Sequence, residues 1–240
     1  MDCPRFSIVL PTHNRHELLC EALRSLADQT FDDWEVIVVD DGSTPAVNEI
    51  EARAIVGERL TLHRHDLPKG VAAARNRGYQ LAKGEFIAQV DDDDLLASQT
   101  LECADRALRH PFAPEILYIG IDAFGSDGAD VNARQRHTLD SILDRAHPTH
   151  SEDLLLFGDA LFDALLCGVP AAFQKPIWSR GLLDRMQPMR TDDWPESAWA
   201  GATARHRASP ARPRGRRCAA RADSGRGRPR PGPGAATSSA

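Results

Sequence analysis

Four consecutive aspartates, Asp91 to Asp94, close an apolar run in FIAQVDDDDLLA, residues 86 to 97. Four like charges side by side repel one another, and the repulsion falls sharply when a cation sits among them. Carboxylates with no neighbouring Cys or His pair favour magnesium or manganese over zinc. Such ions commonly arrive bound to a diphosphate, which points to a nucleotide derivative as ligand. The plainer reading is a solvated acidic turn that caps the next helix through Asp94. A second acidic pair, Asp40 and Asp41 in VIVVDDGST, also closes an apolar strand, so two strand ends offer paired carboxylates to one cleft. The first strand ends in PTHNR, where Pro11 and Thr12 fix an extended backbone and Asn14 offers both a donor and an acceptor.

The elements that must position these groups follow from the hydrophobic pattern. Up to residue 110, short β-branched runs alternate with amphipathic stretches, the signature of βαβ units and a mainly parallel sheet. FSIVLP, WEVIVVD, RLTLHRH and EFIAQV read as strands. Leu18, Leu19, Ala22, Leu23 and Leu26 share one helical face, and GVAAARNRGYQLAKG reads as a helix stopped by Gly84. Ser43 or Thr44 is placed to cap a further helix with Pro45 in its first turn. In such an open α/β sheet ligands bind outside the carboxyl ends of the strands, where Asp91 to Asp94 fall. Beyond Pro111 the pattern loosens: EILYIGIDAF reads as a strand, residues 139 to 146 and 151 to 167 as helices, and GVPAAFQKPIWSRGLLDRM as a loop and strand leading into a short helix.

The expected organisation is therefore one folded domain, with a regular half over 1–110 and a looser half over 111–200. Residues 201–240 are different in kind, being almost entirely Ala, Arg, Gly, Pro and Ser with no periodic apolar face. Such a composition cannot bury enough surface to offset chain entropy, so disorder is expected there. Ten arginines and one acid give this tail a net +9, leaving 19 basic against 34 acidic residues, net −15, in residues 1–200. The overall charge of −6 argues against a globally basic surface for nucleic acid, although the tail alone could serve as a basic arm. The abrupt change also matches GC-rich coding read out of frame, a hypothesis that resequencing would remove by finding one uninterrupted frame.

Five widely spaced cysteines with no CxxC pair suggest reduced, mostly buried thiols, and the nine histidines form no HExxH. His63, His65, His147 and His150 are expected at the surface or in loops. Nowhere do eighteen apolar residues run together, and the N-terminus has no signal-peptide pattern. A cytoplasmic protein is expected, with association at the inner face of the membrane left open.

The ordered set SIVLPTHNR, LRSLADQTFDDWEVIVVDDGST and GVAAARNRGYQLAKGEFIAQVDDDDLL, covering roughly residues 5 to 110, resembles the nucleotide-sugar half of family-2 inverting glycosyltransferases of the GT-A fold. The resemblance implies that Pro11, Thr12 and Asn14 line the nucleoside and that Asp40, or its neighbour Asp41, holds the base. It implies that Arg75 and Asn76 face the diphosphate and donor sugar, with Gly70 letting the backbone approach. Asp91, Asp92 and Asp93 match the family's Asp-x-Asp. There Asp93 would coordinate Mn2+ or Mg2+ directly, Asp91 would contact ribose or a metal-bound water, and the unusual aspartate Asp92 should point away. The resemblance also makes 1–110 the nucleotide-sugar-binding half and 111–200 the acceptor-side half, and implies a general base downstream in MRTDDWPES, Asp193 first and Asp192 next, although Pro195 is not usual in that motif.

The implied reaction is glycosyl transfer from a nucleotide-diphospho-sugar, UDP being the commonest nucleotide, to a saccharide, lipid-linked or protein acceptor, as in cell-surface polysaccharide synthesis. No Gly-rich phosphate loop follows the first strand, which weighs against nucleotidyl transfer and dinucleotide oxidoreduction. The alternative is a catalytically impaired chain that binds nucleotide-sugar without transferring it.

Overall fold

The computed structural model describes residues 3–151, 154–166, 175–189, 191 and, as backbone only, 216–218. A six-stranded sheet organises the chain, in the order β3 (Leu60–His65), β2 (Trp34–Asp41), β1 (Phe6–Thr12), β4 (Phe86–Gln89), β10 (Ile177–Ser179), β6 (Ile116–Leu117). The first four strands run parallel, and β10 is antiparallel to both β4 and β6. The intervening elements are helices α1 (His16–Ala27), α2 (Glu49–Val56) and α3 (Val71–Leu81). They are followed by β5 (Asp94–Leu96), α4 (Thr100–Leu108), β7 (Ile121–Ala123), α5 (Gly128–Ala146), β8 (Thr149–Ser151), β9 (Leu154–Leu156), α6 (Ala160–Leu165) and α7 (Arg180–Arg185). A strand at Arg216–Cys218, β11, pairs with β5 and β7 and is the described part of the 201–240 stretch.

Strand alternation sends the side chains of β1 to two separate cores. Phe6, Ile8 and Leu10 pack with Leu19, Leu23 and Leu26 of α1, Ala52 and Val56 of α2, and Leu101 and Leu108 of α4. Val9, with Ile37, Val39 and Ile87, faces Ala74 and Ala82 beside α3, and Leu183 of α7. Each fully buried leucine here contributes about 1.5–3 kcal/mol, so helices too short to persist alone are held by their apolar faces. Packing of α3 depends on Gly78, because a Cβ at that position would overlap the Cγ1 of Val9.

Four sequence expectations need correction. The second helix starts at Glu49 under a cap from Asn48, whose Oδ1 accepts from the amides of Ile50 and Glu51. Ser43 is spent elsewhere, its hydroxyl accepting from the Asn14 amide at 2.9 Å. Helix α5 begins at Gly128 rather than 139; its first turns are mostly polar and largely exposed, which left no apolar face to read. The segment 151–167, expected as one helix, contains β9 and α6 separated at Gly158, and EILYIGIDAF divides into β6 and β7 in different sheets.

The strand order places a reversal at β1. Successive strands β1, β2 and β3 build in one direction, and β4 then returns to the other side of β1. The crevice outside the carboxyl ends of β1 and β4 is the position where such sheets bind ligands.

Candidate active site

Register alone carries the predicted residues to that crevice. Thr12 pairs with Asp40, Asp40 with Arg64, and Val9 with Gln89, so the three residues beyond Gln89 run alongside the end of β1. Thr12 Oγ1 consequently donates to Asp92 Oδ2 at 2.8 Å. Arg15 reaches back from the β1–α1 loop to Asp92 Oδ1 at 3.0 Å and stands 3.5 Å from Asp93. Burial pushes the Asp92 carboxyl up to about 6 against the pull of Arg15 and Thr12. Asp92 is thus turned into the protein, towards the floor of the site.

Its three neighbours form a group of their own. Asp91, Asp93 and Asp94 each bring a carboxylate oxygen within 4.8 Å of the other two. An all-oxygen set of this kind fits Mg2+ or Mn2+, whose adjacent ligand oxygens stand about 3 Å apart around one ion. Besides Arg15 at Asp93, two further cations lie against the set: Arg75 from α3 donates to Asp91 Oδ1 at 2.7 Å, and the Lys175 ammonium lies 2.9 Å from Asp91 Oδ2 and against Asp94. Burial alone would raise Asp91, but Lys175 and Arg75 hold it at about 2, so it is ionised throughout the neutral range. Asp94, expected as a helix cap in the plainer reading, instead begins β5, and α4 starts six residues later at Thr100.

The second acidic pair is built into the scaffold. Asp40 is 1% exposed; its Oδ1 accepts from the Ser43 amide, and its Oδ2 from the Val47 amide and from Arg64. Burial raises this carboxyl, yet the Ser43, Val47 and Arg64 bonds together bring it below the usual aspartate range. Asp41 accepts from His65 Nδ1 at 2.7 Å and from the amides of Lys69 and Gly70 at 2.9 and 2.8 Å. Gly70 takes up a φ of 87°, open to glycine at no steric cost, and so delivers its amide to Asp41 just before α3. Asn14, at a φ of 53°, bridges the loops by accepting from the Thr44 amide at 2.7 Å, while Pro11 is buried at the end of β1.

Asn76, one residue along α3 from Arg75, holds a distant segment. Its amide nitrogen donates to the Met189 carbonyl at 2.8 Å, and its Oδ1 accepts from the Met189 amide at 2.9 Å. A cavity of about 280 Å3 opens beside this clasp, lined in part by Tyr79, Trp178, Leu183 and Met186. Asp192 and Asp193 follow Met189 closely in the chain but lie outside the described residues.

Four participants escaped the sequence reading. Arg15 stands in the quoted PTHNR, and its pairing with Asp92 needs only the turn between β1 and α1 to fold it back. Lys175 gives no signal, because its partners are some eighty residues earlier. Arg64 and His65 could have been found by register, since β3 runs beside β2 and ends level with Asp40 and Asp41. His65, expected at the surface, is 6% exposed for this reason.

Comparison with known proteins agrees with this layout. The profile of Glycosyl transferase family 2 matches residues 7–153. A PGL/p-HBAD biosynthesis glycosyltransferase of Mycobacterium bovis is 42% identical over 98 residues, 40% of this chain and 38% of the relative. Glycosyltransferase GlyG of Streptococcus pneumoniae is 36% identical over 97 residues, 40% of this chain and 32% of its own. The match thus spans about a third of the length of these relatives. Among solved structures, the mannosyltransferase PcManGT of Pyrobaculum calidifontis, in complex with GDP-Man and Mn2+, superposes with a TM-score of 0.53 at 23% identity, over 80% of this chain and 49% of that one. S. aureus TarS 1–349 gives 0.52 at 24% identity, over 75% and 48%.

Proposed function

The chain belongs to glycosyl transferase family 2 and has the GT-A fold, and on that premise we propose that it moves a sugar from a nucleotide-diphospho-sugar to an acceptor hydroxyl, with inversion, at a divalent-metal site. The observation that carries the reading is the convergence of Asp91, Asp93 and Asp94 at the strand-order reversal.

Asp93 and Asp91, joined by Asp94, would hold Mn2+ or Mg2+. When bound, the ion supplies positive charge against a diphosphate and its developing leaving-group charge. Arg75 adds a fixed guanidinium at the same place, and Arg15 balances Asp92 beneath it. Pro11, Thr12, Asn14, Asp40 and Asp41 set the walls of the nucleoside site. In this reading Asp40 and Asp41 shape it through the amides and cations they gather. Asn76 acts on the acceptor side by pinning Met189, which fixes the start of the segment bearing Asp192 and Asp193. Asp193, with Asp192 as the alternative, removes the proton from the attacking hydroxyl, which approaches C1 opposite the leaving diphosphate. That GDP-Man and Mn2+ occupy the Pyrobaculum structure supports including GDP beside UDP among donors to be tried. Synthesis of a cell-surface saccharide is the proposed setting.

A second reading is favoured by Lys175. Its ammonium contacts two of the three carboxylates and could serve as the cation itself, giving a metal-independent donor site. Release of nucleoside diphosphate from a panel of UDP-, GDP- and dTDP-sugars, measured with manganese and with chelator, separates the two. Turnover that needs manganese supports the metal site. Equal turnover in chelator assigns the charge to Lys175, and binding without turnover leaves a nucleotide-sugar-binding protein.

A further inference from the structure

On the opposite side of β1 from α3, helices α1 and α2 bring together three side chains with no part in the reaction above. His16 and Cys20 stand one turn apart on α1, and Glu51 faces them from the first turn of α2. His16 Nε2 lies 2.9 Å from Glu51 Oε2, and the Cys20 thiol lies 3.8 Å from both His16 Nε2 and Glu51 Oε1.

These separations are close to the edges of a coordination tetrahedron. With Zn–S of about 2.3 Å and Zn–N and Zn–O of about 2.0–2.1 Å, ligand atoms at tetrahedral angles stand roughly 3.3–3.6 Å apart. His16 and Cys20 meet different oxygens of the Glu51 carboxylate, and one ligand atom from each of the three residues lies within 4.8 Å of the other two, so a small rotation of that carboxylate with shifts of a few tenths of an ångström brings one oxygen, the nitrogen and the sulfur to those values. From this geometry we propose that His16, Cys20 and Glu51 form a zinc site that clamps α1 to α2, with its fourth position open to solvent or an exogenous ligand.

The chemistry distinguishes this site from the aspartate cluster. A thiolate and an imidazole select a borderline-soft ion, whereas the oxygen-only cluster suits magnesium or manganese. His16 and Glu51 are each 45% exposed as side chains, so an ion can enter from solvent, while Cys20 forms a buried floor at 5% exposure. Without metal, burial and the Glu51 charge push the Cys20 thiol up, with Arg24 pulling the other way. Binding exchanges the thiol proton for the S–Zn bond and releases that proton to solvent. The clue in the sequence is HELLC, a His and a Cys four apart on one helical face, completed only when α2 packs alongside.

Cobalt(II) titration of the reduced full chain tests the proposal, because cobalt reports tetrahedral thiolate ligation by its sulfur-to-metal charge-transfer absorption. The expected result is one equivalent with that band, displaced by zinc, lost in Cys20→Ser and retained in Asp93→Asn. Glu51→Gln, at a half-exposed position that should not disturb folding, is expected to weaken cobalt binding at least tenfold. Absence of the band in folded protein would overturn the proposal. So would a band that survives Cys20→Ser, which would place the metal at another of the five cysteines.

Discussion

Lys175 sets its ammonium 2.9 Å from Asp91 Oδ2 and against Asp94, so a basic side chain lies within the acidic cluster that closes β4. A unit charge at this range raises the cost of placing a divalent ion among the same carboxylates. Lys175→Met should therefore tighten Mn2+ binding by about tenfold, roughly 1.4 kcal/mol. Calorimetry of manganese against both proteins checks this. Unchanged affinity would mean that the lysine swings away whenever the ion binds.

The reciprocal bonds between Asn76 and the Met189 backbone tie α3 to the chain that leads to Asp192 and Asp193. Asn76→Ala removes both bonds while leaving the Arg75 and Asp91 contact in place. Misplacing a catalytic group by about 1 Å can cost about a hundredfold in rate. Transfer is accordingly expected to fall about ten- to hundredfold, with donor affinity changed by less than about threefold. An equal loss in both would assign Asn76 to the donor instead, as the sequence resemblance implied.

Asp40 makes acid sensitivity a property of the scaffold. Its folded pKa is depressed, since the Ser43, Val47 and Arg64 bonds outweigh burial. A depressed carboxylate stabilises the fold above its unfolded value, about 3.9, and that contribution is lost as pH falls through the lower folded value. Asp40→Asn should be less stable than the parent at pH 7 by about 1–3 kcal/mol, in keeping with loss of charged hydrogen bonds. The gap should narrow below about pH 4. Urea unfolding at several pH values measures it, and a gap independent of pH would show that Asp40 titrates alike in both states.

Close approach of α3 to β1 is the mechanical basis for the position of Arg75. Gly78→Ala places a methyl group against Val9 and is expected to destabilise by about 1–3 kcal/mol. Donor affinity should weaken too, because the displaced helix carries Arg75 away from Asp91. Destabilisation without any change in donor binding would show that the helix tilts about its N-terminus and spares the site.

The parallel half of the sheet was legible because β1, β2 and β4 are largely apolar runs and the turns between elements carry Gly, Pro, Asn or Asp. Strand order was not stated by those patterns, yet once β4 lies beside β1, Thr12 must stand level with Asp92. What periodicity could not supply was the identity of counterions: Lys175 meets Asp91 and Asp94 through the fold alone, and His65 is buried only because its register matches Asp41. Polar α5 and the short strands β6, β7 and β9 were misread for the related reason that neither carries a periodic apolar face. Asp192 and Asp193 are outside the described residues, so their role rests on sequence and on the nearby Asn76 clasp.

The most direct test of the active site is isothermal titration of UDP, GDP and dTDP into the chain and into Asp93→Asn, each with and without manganese. The expected outcome is manganese-dependent binding of one nucleotide, weakened at least about tenfold, or about 1.4 kcal/mol, in the variant. Binding that is equally tight without manganese and in Asp93→Asn would contradict a metal site at Asp91, Asp93 and Asp94.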